Sequence, residues 1–197
     1  MTATAIQPER EKWTTPKLAL TTVLGAIAGV VSTPFSLAWV ALNNAFGILG
    51  AAAFQPWQLF TTIAGWLIPR PGVYLLAETT RGLVNMLTGD PSGIAVLYWG
   101  VAGGLAGEAA GLIYRWNPAK RTQIALLRGV LHIPFTNVVT AFLYGWDPST
   151  WTFWLGALVA VVAITLESTI PGIALAKWLA SSGLLRTIGV KVSADAK

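Results

Sequence analysis

The sequence predicts an all-α membrane protein, a bundle of six transmembrane helices with both termini cytoplasmic, and three observations support this fold class. Apolar residues make up 54% of the 197 residues and charged residues only 11%. Several apolar runs are long enough to cross a hydrocarbon core about 30 Å thick. Turn sequences rich in proline and glycine separate these runs. We therefore expect one integral-membrane domain over 1–197, with a cytoplasmic segment at 1–16, a six-helix bundle at 17–180 and a cytoplasmic tail at 181–197.

The six predicted spans follow one another along the chain as 17–41, 44–68, 72–88, 92–114, 123–145 and 150–179. The second departs from a regular helix, because Asn43-Asn44 opens it and Gln55-Pro56 interrupts it, so we expect irregular backbone there. Ser92 is suited to cap the fourth helix, and Ser149 or Thr150 the sixth. A kink is expected in the sixth helix at Pro171, because proline frees a backbone carbonyl.

The basic residues are concentrated at the two ends of the chain and in alternate loops. Lys and Arg occur at the N-terminal segment, in the second and fourth loops and at the C-terminal end, whereas the first, third and fifth loops contain none. The positive-inside rule then places both termini in the cytoplasm of a multi-pass protein of the cell membrane, in contact with the lipid bilayer. Arg81 and Arg128 lie within spans. Membrane topology thus accounts for the positions of the basic residues, so the net charge of +5 does not indicate a nucleic-acid partner.

Polar side chains inside the spans are the candidate site. Burying a carboxylate at membrane depth costs about 2.5–3.5 kcal/mol on insertion scales, so Glu78, Glu108 and Glu167 are expected to have partners. The third span places four polar side chains on one helical face, at i, i+4, i+7 and i+11: Tyr74, Glu78, Arg81 and Asn85. The fifth span repeats a polar residue every four positions: Arg128, His132, Thr136 and Thr140.

The three glutamates fall at similar depths when they are counted along their helices, which predicts one polar layer. Three acids against Arg81 and a neutral His132 leave a negative surplus. Protonation, Arg128 or a cationic ligand can relieve this surplus. The alternative is purely structural, with ion pairs such as Glu78-Arg81 and Glu108-Arg128 tying helices together and His132 a hydrogen-bonded core residue.

Two tryptophans and a run of glycines complete the candidate features. Trp57 and Trp99 lie deeper than an interfacial belt requires, so they can form a flat wall for an aromatic cation. Glycines recur along the fourth span from Gly100 to Gly111, a pattern typical of close helix packing.

No enzyme chemistry is indicated. The chain has no cysteine, one histidine, no phosphate-binding loop and no zinc-protease motif, so we expect no catalytic residue, metal or cofactor. Ser92 with His132 superficially resembles a serine protease dyad, but helix capping explains Ser92. Any energy from nucleotide hydrolysis must come from another subunit.

Residues 70–116 resemble the YkoE family. The resemblance rests on Arg70-Pro71-Gly72, Glu78, Gly89-Asp90-Pro91-Ser92-Gly93, Gly107-Glu108 and Arg115-Trp116, in this order. Members are substrate-binding S components of energy-coupling factor (ECF) vitamin transporters, associated with thiamine and its hydroxymethylpyrimidine precursor. The resemblance implies a vitamin site on the outer side and docking on a membrane coupling protein, the T component, with two ABC ATPases. Gly25-x-x-x-Gly29, with Thr22-x-x-x-Ala26, is expected to form the docking surface.

These observations lead to one main hypothesis and two alternatives. The main hypothesis is a thiamine-type S component in which Glu78 and Asn85 contact the ligand, Trp57 or Trp99 stacks on a ring, and Arg81 and Glu108 orient the layer. Tyr74 and His132 complete the expected site. An S component for another vitamin such as cobalamin is the first alternative. The second is a non-transporting membrane scaffold whose carboxylates only tie helices together.

Overall fold

The structure, a computed structural model, describes residues 12–190, and each regular element within that range is helical. Residues 1–11 and 191–197 of the expected terminal segments, with Arg10, Lys191 and Lys197, lie outside the described residues. The all-helical prediction is confirmed. The α-helices are α1 (Thr15–Ala52), α2 (Leu59–Leu67), α3 (Val73–Leu87), α4 (Ala95–Ile113), α5 (Arg121–Tyr144), α6 (Trp151–Ile164), α7 (Ile170–Ser182) and α8 (Leu184–Thr187).

Four stretches of the described chain are long and apolar enough to cross a membrane: Thr15–Ala52, Ala95–Ile113, Pro118–Tyr144 and Trp151–Ser182. The helices α2 and α3 are shorter, with nine and fifteen residues. The predicted polar face of α3 points into the protein, because Glu78, Arg81 and Asn85 are at most 5% exposed. A helix that is surrounded by other helices in this way does not need a continuous apolar surface.

The predicted boundary between the first two spans is wrong. The helix α1 continues through Asn43 and Asn44, whose side chains are exposed or half-buried and therefore cost little in a helix. Its regularity fails at Gly47, where φ is +61°, a conformation that glycine adopts readily. The helix ends at Ala52, and a linker of residues 53–58 with a 3₁₀ turn at Pro56–Gln58 leads into α2. The irregular backbone expected around Gln55-Pro56 is confirmed.

Small residues allow α1, α3 and α4 to pack closely. A Cβ atom on Gly25 would lie 2.5 Å from the carbonyl oxygen of Ala77, and one on Gly29 would lie 2.6 Å from Cβ of Val84. Both glycines of α1 therefore face α3. The docking surface expected at Gly25-x-x-x-Gly29 is not available to another protein, because this face already packs inside the molecule.

The glycines of α4 have the packing role that the sequence indicates. A Cβ on Gly100 would lie 2.5 Å from the carbonyl oxygen of Glu78, and one on Gly104 would lie 2.8 Å from Cα of Leu75. The backbone of α3 thus lies directly against α4, which leaves α3 between α1 and α4.

A π-helical turn at Thr165–Thr169 joins α6 to α7. Pro171 lacks the N–H that would bond the carbonyl of Glu167 in a regular helix, so the distortion falls in the turn before the proline. The irregularity expected near Pro171 is therefore present as a π-helical turn, which is wider than an α-helical one.

The loop before α6 is ordered by Asp147. Its carboxylate accepts the backbone N–H and the hydroxyl of Ser149, each at 2.8 Å, and these hydrogen bonds hold the pKa of Asp147 below its ordinary value. Neither expected side-chain cap forms, because α4 begins only at Ala95 and Thr150 donates its hydroxyl to the carbonyl of Asp147 instead.

Candidate functional site

A cavity opens between the helices at the end of the bundle that carries loops 88–94 and 145–150. It contains about 770 Å³ of empty space when its open mouth is counted, within the range of small-molecule sites. Its walls come from α1, the 53–58 linker, α3, α4, α5 and α6. The lining residues are Ser36, Trp39, Ile48, Ala51, Ala52, Gln55, Trp57, Arg81, Asn85, Ser92, Trp99, His132, Ile133, Thr136, Asn137, Thr140, Trp146, Gly156 and Ala160.

Five of the residues expected at the site line this cavity, namely Trp57, Arg81, Asn85, Trp99 and His132. Glu78, Glu108 and Tyr74 are not among its lining residues. The structure therefore brings together the tryptophans, the arginine, the amide and the histidine, and it places the two expected acids behind the walls.

Glu78 is fully buried beneath the cavity and ties three helices together. Its carboxylate accepts hydrogen bonds from Nε of Arg81 at 2.7 Å, from the hydroxyl of Thr61 at 2.6 Å and from the guanidinium of Arg128. Arg128 also donates to the hydroxyls of Thr61 and Thr62, each at 2.8 Å. The buried carboxylate thus has full hydrogen bonding from α2, α3 and α5, which offsets the cost of its burial.

His132 extends this network toward the linker. One ring nitrogen, Nε2, is 3.0 Å from the side-chain nitrogen of Gln58. The other nitrogen, Nδ1, is buried and has no hydrogen-bond partner within the described range. Gln58 in turn donates its backbone N–H to the hydroxyl of Ser168 at 3.2 Å. The floor of the cavity is therefore connected to the π-helical turn.

The charge at this floor is the reverse of the expected one. Two guanidinium groups, of Arg81 and Arg128, bond a single carboxylate. The sequence left three ways open to balance a negative surplus, and the structure shows one of them, the ion pair between Glu78 and Arg128. The surplus itself disappears because the other two glutamates lie elsewhere.

Glu108 stabilises the start of α3. Its carboxylate accepts the backbone N–H groups of Gly72 at 2.8 Å, Tyr74 at 3.1 Å and Leu75 at 3.2 Å. A carboxylate satisfies the unpaired N–H groups at a helix N-terminus and interacts favourably with its dipole. The structural pair expected between Glu108 and Arg128 does not form, because this carboxylate is occupied at the end of α3.

Tyr74 lies on the side of the network away from the cavity. Its ring is fully buried, 4.8 Å from the guanidinium carbon of Arg128 and 6.2 Å from the ring of Trp116. The single polar layer predicted for the three glutamates is therefore wrong, because similar depth along separate helices does not determine which neighbour each side chain meets.

Glu167 holds the linker that forms one cavity wall. Its carboxylate accepts the backbone N–H of Gln55 at 2.6 Å, and the neighbouring Ser168 hydroxyl donates to the carbonyl of Gln55 at 2.7 Å. The side-chain oxygen of Gln55 accepts the indole N–H of Trp57 at 3.0 Å. Gln55, Gln58 and Ser168 were not predicted as site residues, although a glutamine next to proline inside an apolar run was the available signal.

Two cavity residues keep hydrogen-bond donors free. Nε of Arg81 is used by Glu78, but its two terminal nitrogens have no partner between residues 12 and 190. The side-chain oxygen of Asn85 accepts the hydroxyl of Thr33 at 2.9 Å, and no described residue accepts from its NH₂ group. A ligand in the cavity thus meets donors at Arg81 and Asn85.

Aromatic rings surround the mouth of the cavity. Trp99 and Tyr144 stack with centroids 5.9 Å apart and planes 12° from parallel, and Trp39 and Trp146 lie against them. Trp99 donates its indole N–H to the hydroxyl of Thr140 at 3.0 Å. Trp39 and Trp146 look like ordinary interfacial residues in the sequence, so their place in the lining was not predicted.

Helices packed around a cavity with aromatic walls and a polar floor define a membrane protein with a candidate small-molecule binding site. Residues 17–135 match the family described as "ABC-type cobalt transport system, permease component", and the chain belongs to this family. The HMP/thiamine permease protein YkoE of Bacillus subtilis (strain 168) is 29% identical over 138 residues, which are 68% of this chain and 65% of that relative.

A solved structure agrees with this assignment. The crystal structure of an S-component of an ECF transporter superposes with a TM-score of 0.78 and 25% identity, covering 89% of this chain and 90% of that chain. The chain therefore has the fold of an ECF-transporter S component, and the predicted resemblance to the YkoE family is confirmed. Its relatives are transport proteins rather than enzymes, which confirms that part of the prediction.

Proposed function

We propose that this protein is the substrate-binding S component of an ECF transporter, and that it captures thiamine or its hydroxymethylpyrimidine precursor from outside the cell. The cavity is the observation that carries this proposal, because it combines aromatic walls with uncommitted donors at Arg81 and Asn85. The name of the Bacillus subtilis relative, an HMP/thiamine permease protein, supports the ligand class. No resident cofactor is required.

The proposed membrane arrangement has six crossings within one integral-membrane domain. The first is α1 up to Gly47, the second runs from Ile48 through the linker and α2, and the third to fifth are α3, α4 and α5. The sixth combines α6, the π-helical turn and α7. The loops at 68–72 and 114–120 contain Arg70, Arg115 and Lys120, and the positive-inside rule then places the termini in the cytoplasm and the cavity mouth outside.

The proposed ligand contacts come from the residues that line the cavity. Trp57 and Trp99 provide aromatic surface, Arg81 and Asn85 provide donors, and His132 borders the floor. Glu78 acts through Arg81, whose guanidinium it orients. Tyr74 and Glu108 support the network and the start of α3 and do not touch the ligand.

The proposed partners are a T component and two ABC ATPases. We place the T component on the exposed surface of α1 beside its contact with α3, where Thr22 is exposed and Ala26 is half-buried. Small side chains at such a surface let a second helix approach closely. Gly25 and Gly29 have a different role, because they set the spacing between α1 and α3.

An organic ligand fits the cavity better than a cobalt ion. The lining contains four tryptophans, several hydroxyl and amide groups, and one imidazole, that of His132. A divalent cobalt site favours several imidazole or carboxylate ligands around the ion. The family description therefore supports a transport role, and the cavity lining supports an organic molecule as the cargo.

Titration of the purified protein tests the ligand class. Tryptophan fluorescence should fall at sub-micromolar thiamine or hydroxymethylpyrimidine, because these ligands would stack near Trp57 and Trp99. Co²⁺ and cobalamin serve as the comparison ligands. A response to either of these, with none to the pyrimidine compounds, would overturn the assignment, and mass spectrometry of a copurifying small molecule would identify the replacement.

Copurification tests the partners. Tagged protein expressed with T-component and ATPase subunits should recover both in stoichiometric amounts. A non-transporting scaffold would bind neither, and that result would contradict the transport role.

A further inference from the structure

The formal charges at the floor of the cavity add up to a positive value. Arg81 and Arg128 each contribute one positive charge, and within residues 12–190 Glu78 is the one carboxylate hydrogen-bonded to either of them. His132 contributes nothing when neutral and a further positive charge when protonated. At least one net positive charge therefore remains in both protonation states of the histidine.

Two other carboxylates contact lining residues, but from outside the cavity. Asp90 accepts the backbone N–H of Ser92 at 2.8 Å, and Glu167 accepts that of Gln55 at 2.6 Å. Both bonds go to backbone at the mouth or the linker wall, and neither acid is a lining residue. The positive charge at the floor thus has no carboxylate bonded to it besides Glu78.

The groups that the floor presents to a ligand are hydrogen-bond donors. They are the terminal nitrogens of Arg81 and the NH₂ group of Asn85, which lies one helical turn further along the same face of α3. Like charges repel several times more strongly in a low-dielectric site than in water. The aromatic faces at the mouth attract cations, but a ligand ring that reaches Arg81 and Asn85 meets the net positive charge of the floor.

We infer that this cavity selects an uncharged heteroaromatic ring whose lone pairs face Arg81 and Asn85, and that it discriminates against a ligand with a permanent positive charge. This inference rests on the proposed function and decides between the two compounds in the name of the relative. Hydroxymethylpyrimidine is uncharged at pH 8, whereas thiamine carries a thiazolium ring. The pyrimidine precursor, rather than the vitamin, is the ligand that fits.

The decisive experiment compares ligands that differ in charge alone. Purified protein in nanodiscs is titrated at pH 8 with thiamine and with its isostere in which an uncharged thiophene replaces the thiazolium, and hydroxymethylpyrimidine is the third ligand. We expect the isostere to bind at least about tenfold more tightly than thiamine, which is about 1.4 kcal/mol. Hydroxymethylpyrimidine should also bind more tightly than thiamine.

Two variants examine the cause of this preference. Asn85→Asp adds a carboxylate beside Arg81 with almost no change in shape, so the ratio of isostere to thiamine affinity should fall at least about fivefold. Arg81→Gln removes a positive charge and should lower the same ratio. Thermal unfolding shows whether each variant folds, and the wild-type comparison remains decisive when one does not.

Each outcome has a defined meaning. Thiamine binding as tightly as the isostere, or more tightly, overturns the charge selection and leaves the proposed function intact. A preference that persists unchanged in folded Asn85→Asp and Arg81→Gln proteins overturns its assignment to the floor. Failure of all three ligands to bind removes the proposed function and the inference together.

Discussion

At the scale of single residues, Glu78 has the largest structural role in the candidate site. It receives bonds from Arg81, Arg128 and Thr61 while being completely excluded from solvent. Removing one member of a buried ion pair is far more costly than replacing the whole set with apolar groups, because the remaining charge is left without compensation. Glu78 thus has a structural role and an indirect role in binding, through the orientation of Arg81.

We therefore expect Glu78→Gln to lower the free energy of unfolding by about 3–5 kcal/mol, as measured for broken buried pairs in soluble proteins. Two guanidinium groups would then face each other without a carboxylate. Thermal unfolding in detergent measures the effect. The matched control is Asp147→Asn, an exposed loop residue whose amide oxygen can still accept the Ser149 N–H, so it should lower the midpoint much less. Equal stability of the two variants would show that the network does not hold the helices together.

Trp99 provides a second prediction at this scale. Trp99→Phe should weaken ligand binding about two- to tenfold, because a favourable aromatic contact contributes about 0.5–1.5 kcal/mol, and the indole bond to Thr140 is also lost. The fluorescence change on binding should shrink as well. Trp154→Phe is the control, because Trp154 is exposed and does not line the cavity. Unchanged affinity in Trp99→Phe would place the ligand elsewhere.

At the scale of elements, the linker and the π-helical turn form one unit. The backbone of Gln55 and Gln58 is held by the side chains of Glu167 and Ser168, from a helix more than a hundred residues further along the chain. Gln55 and Trp57 line the cavity, so the turn determines where this wall stands. Widened helical turns of this kind occur frequently at functional sites.

Ser168→Ala tests this coupling. The substitution removes the bonds to the Gln58 N–H and the Gln55 carbonyl, and each contributes about 0.5–1.5 kcal/mol to the ordered linker. We expect ligand affinity to fall several-fold, with faster proteolysis near residue 55. Ser181→Ala, which removes one exposed bond to the Trp178 carbonyl, is the control. Affinity equal to wild type in Ser168→Ala would mean that the linker keeps its position without the turn.

The sequence predicted the polar faces of α3 and α5 well, because a helical repeat determines which side chains share a face. The sequence alone therefore identified Arg81, Asn85 and His132 as candidates. Contacts between helices were harder to predict. Whether Arg128 meets Glu78 or Glu108 depends on the relative rotation and height of two helices, and the pattern within one helix contains no information about either. The same limit explains why Gly25 was assigned to the wrong interface.

At the scale of the whole molecule, the two sides of α1 have separate roles. The side with Gly25 and Gly29 packs on α3, which carries Arg81 and Asn85, so it helps to position the cavity. The exposed part of α1 includes Val23, Ile27 and Val30, which face away from α3, with Thr22 at its edge. An exposed apolar helix surface in a membrane protein faces either lipid or another protein.

This separation gives a prediction that distinguishes transport from ligand binding. Thr22→Leu places a larger side chain on the exposed surface, so it should reduce copurification of the T component while leaving ligand affinity unchanged. Gly29→Leu places a similar side chain against Val84 and the carbonyl oxygen of Arg81, where even a Cβ would lie 2.6 and 2.8 Å away. It should therefore lower thermal stability and ligand affinity. Both variants add bulk to one helix two turns apart, so opposite effects would arise from the different surroundings of the two positions, exposed at Thr22 and packed against α3 at Gly29. Loss of ligand binding in Thr22→Leu, or retention of the T component, would contradict the proposed docking side.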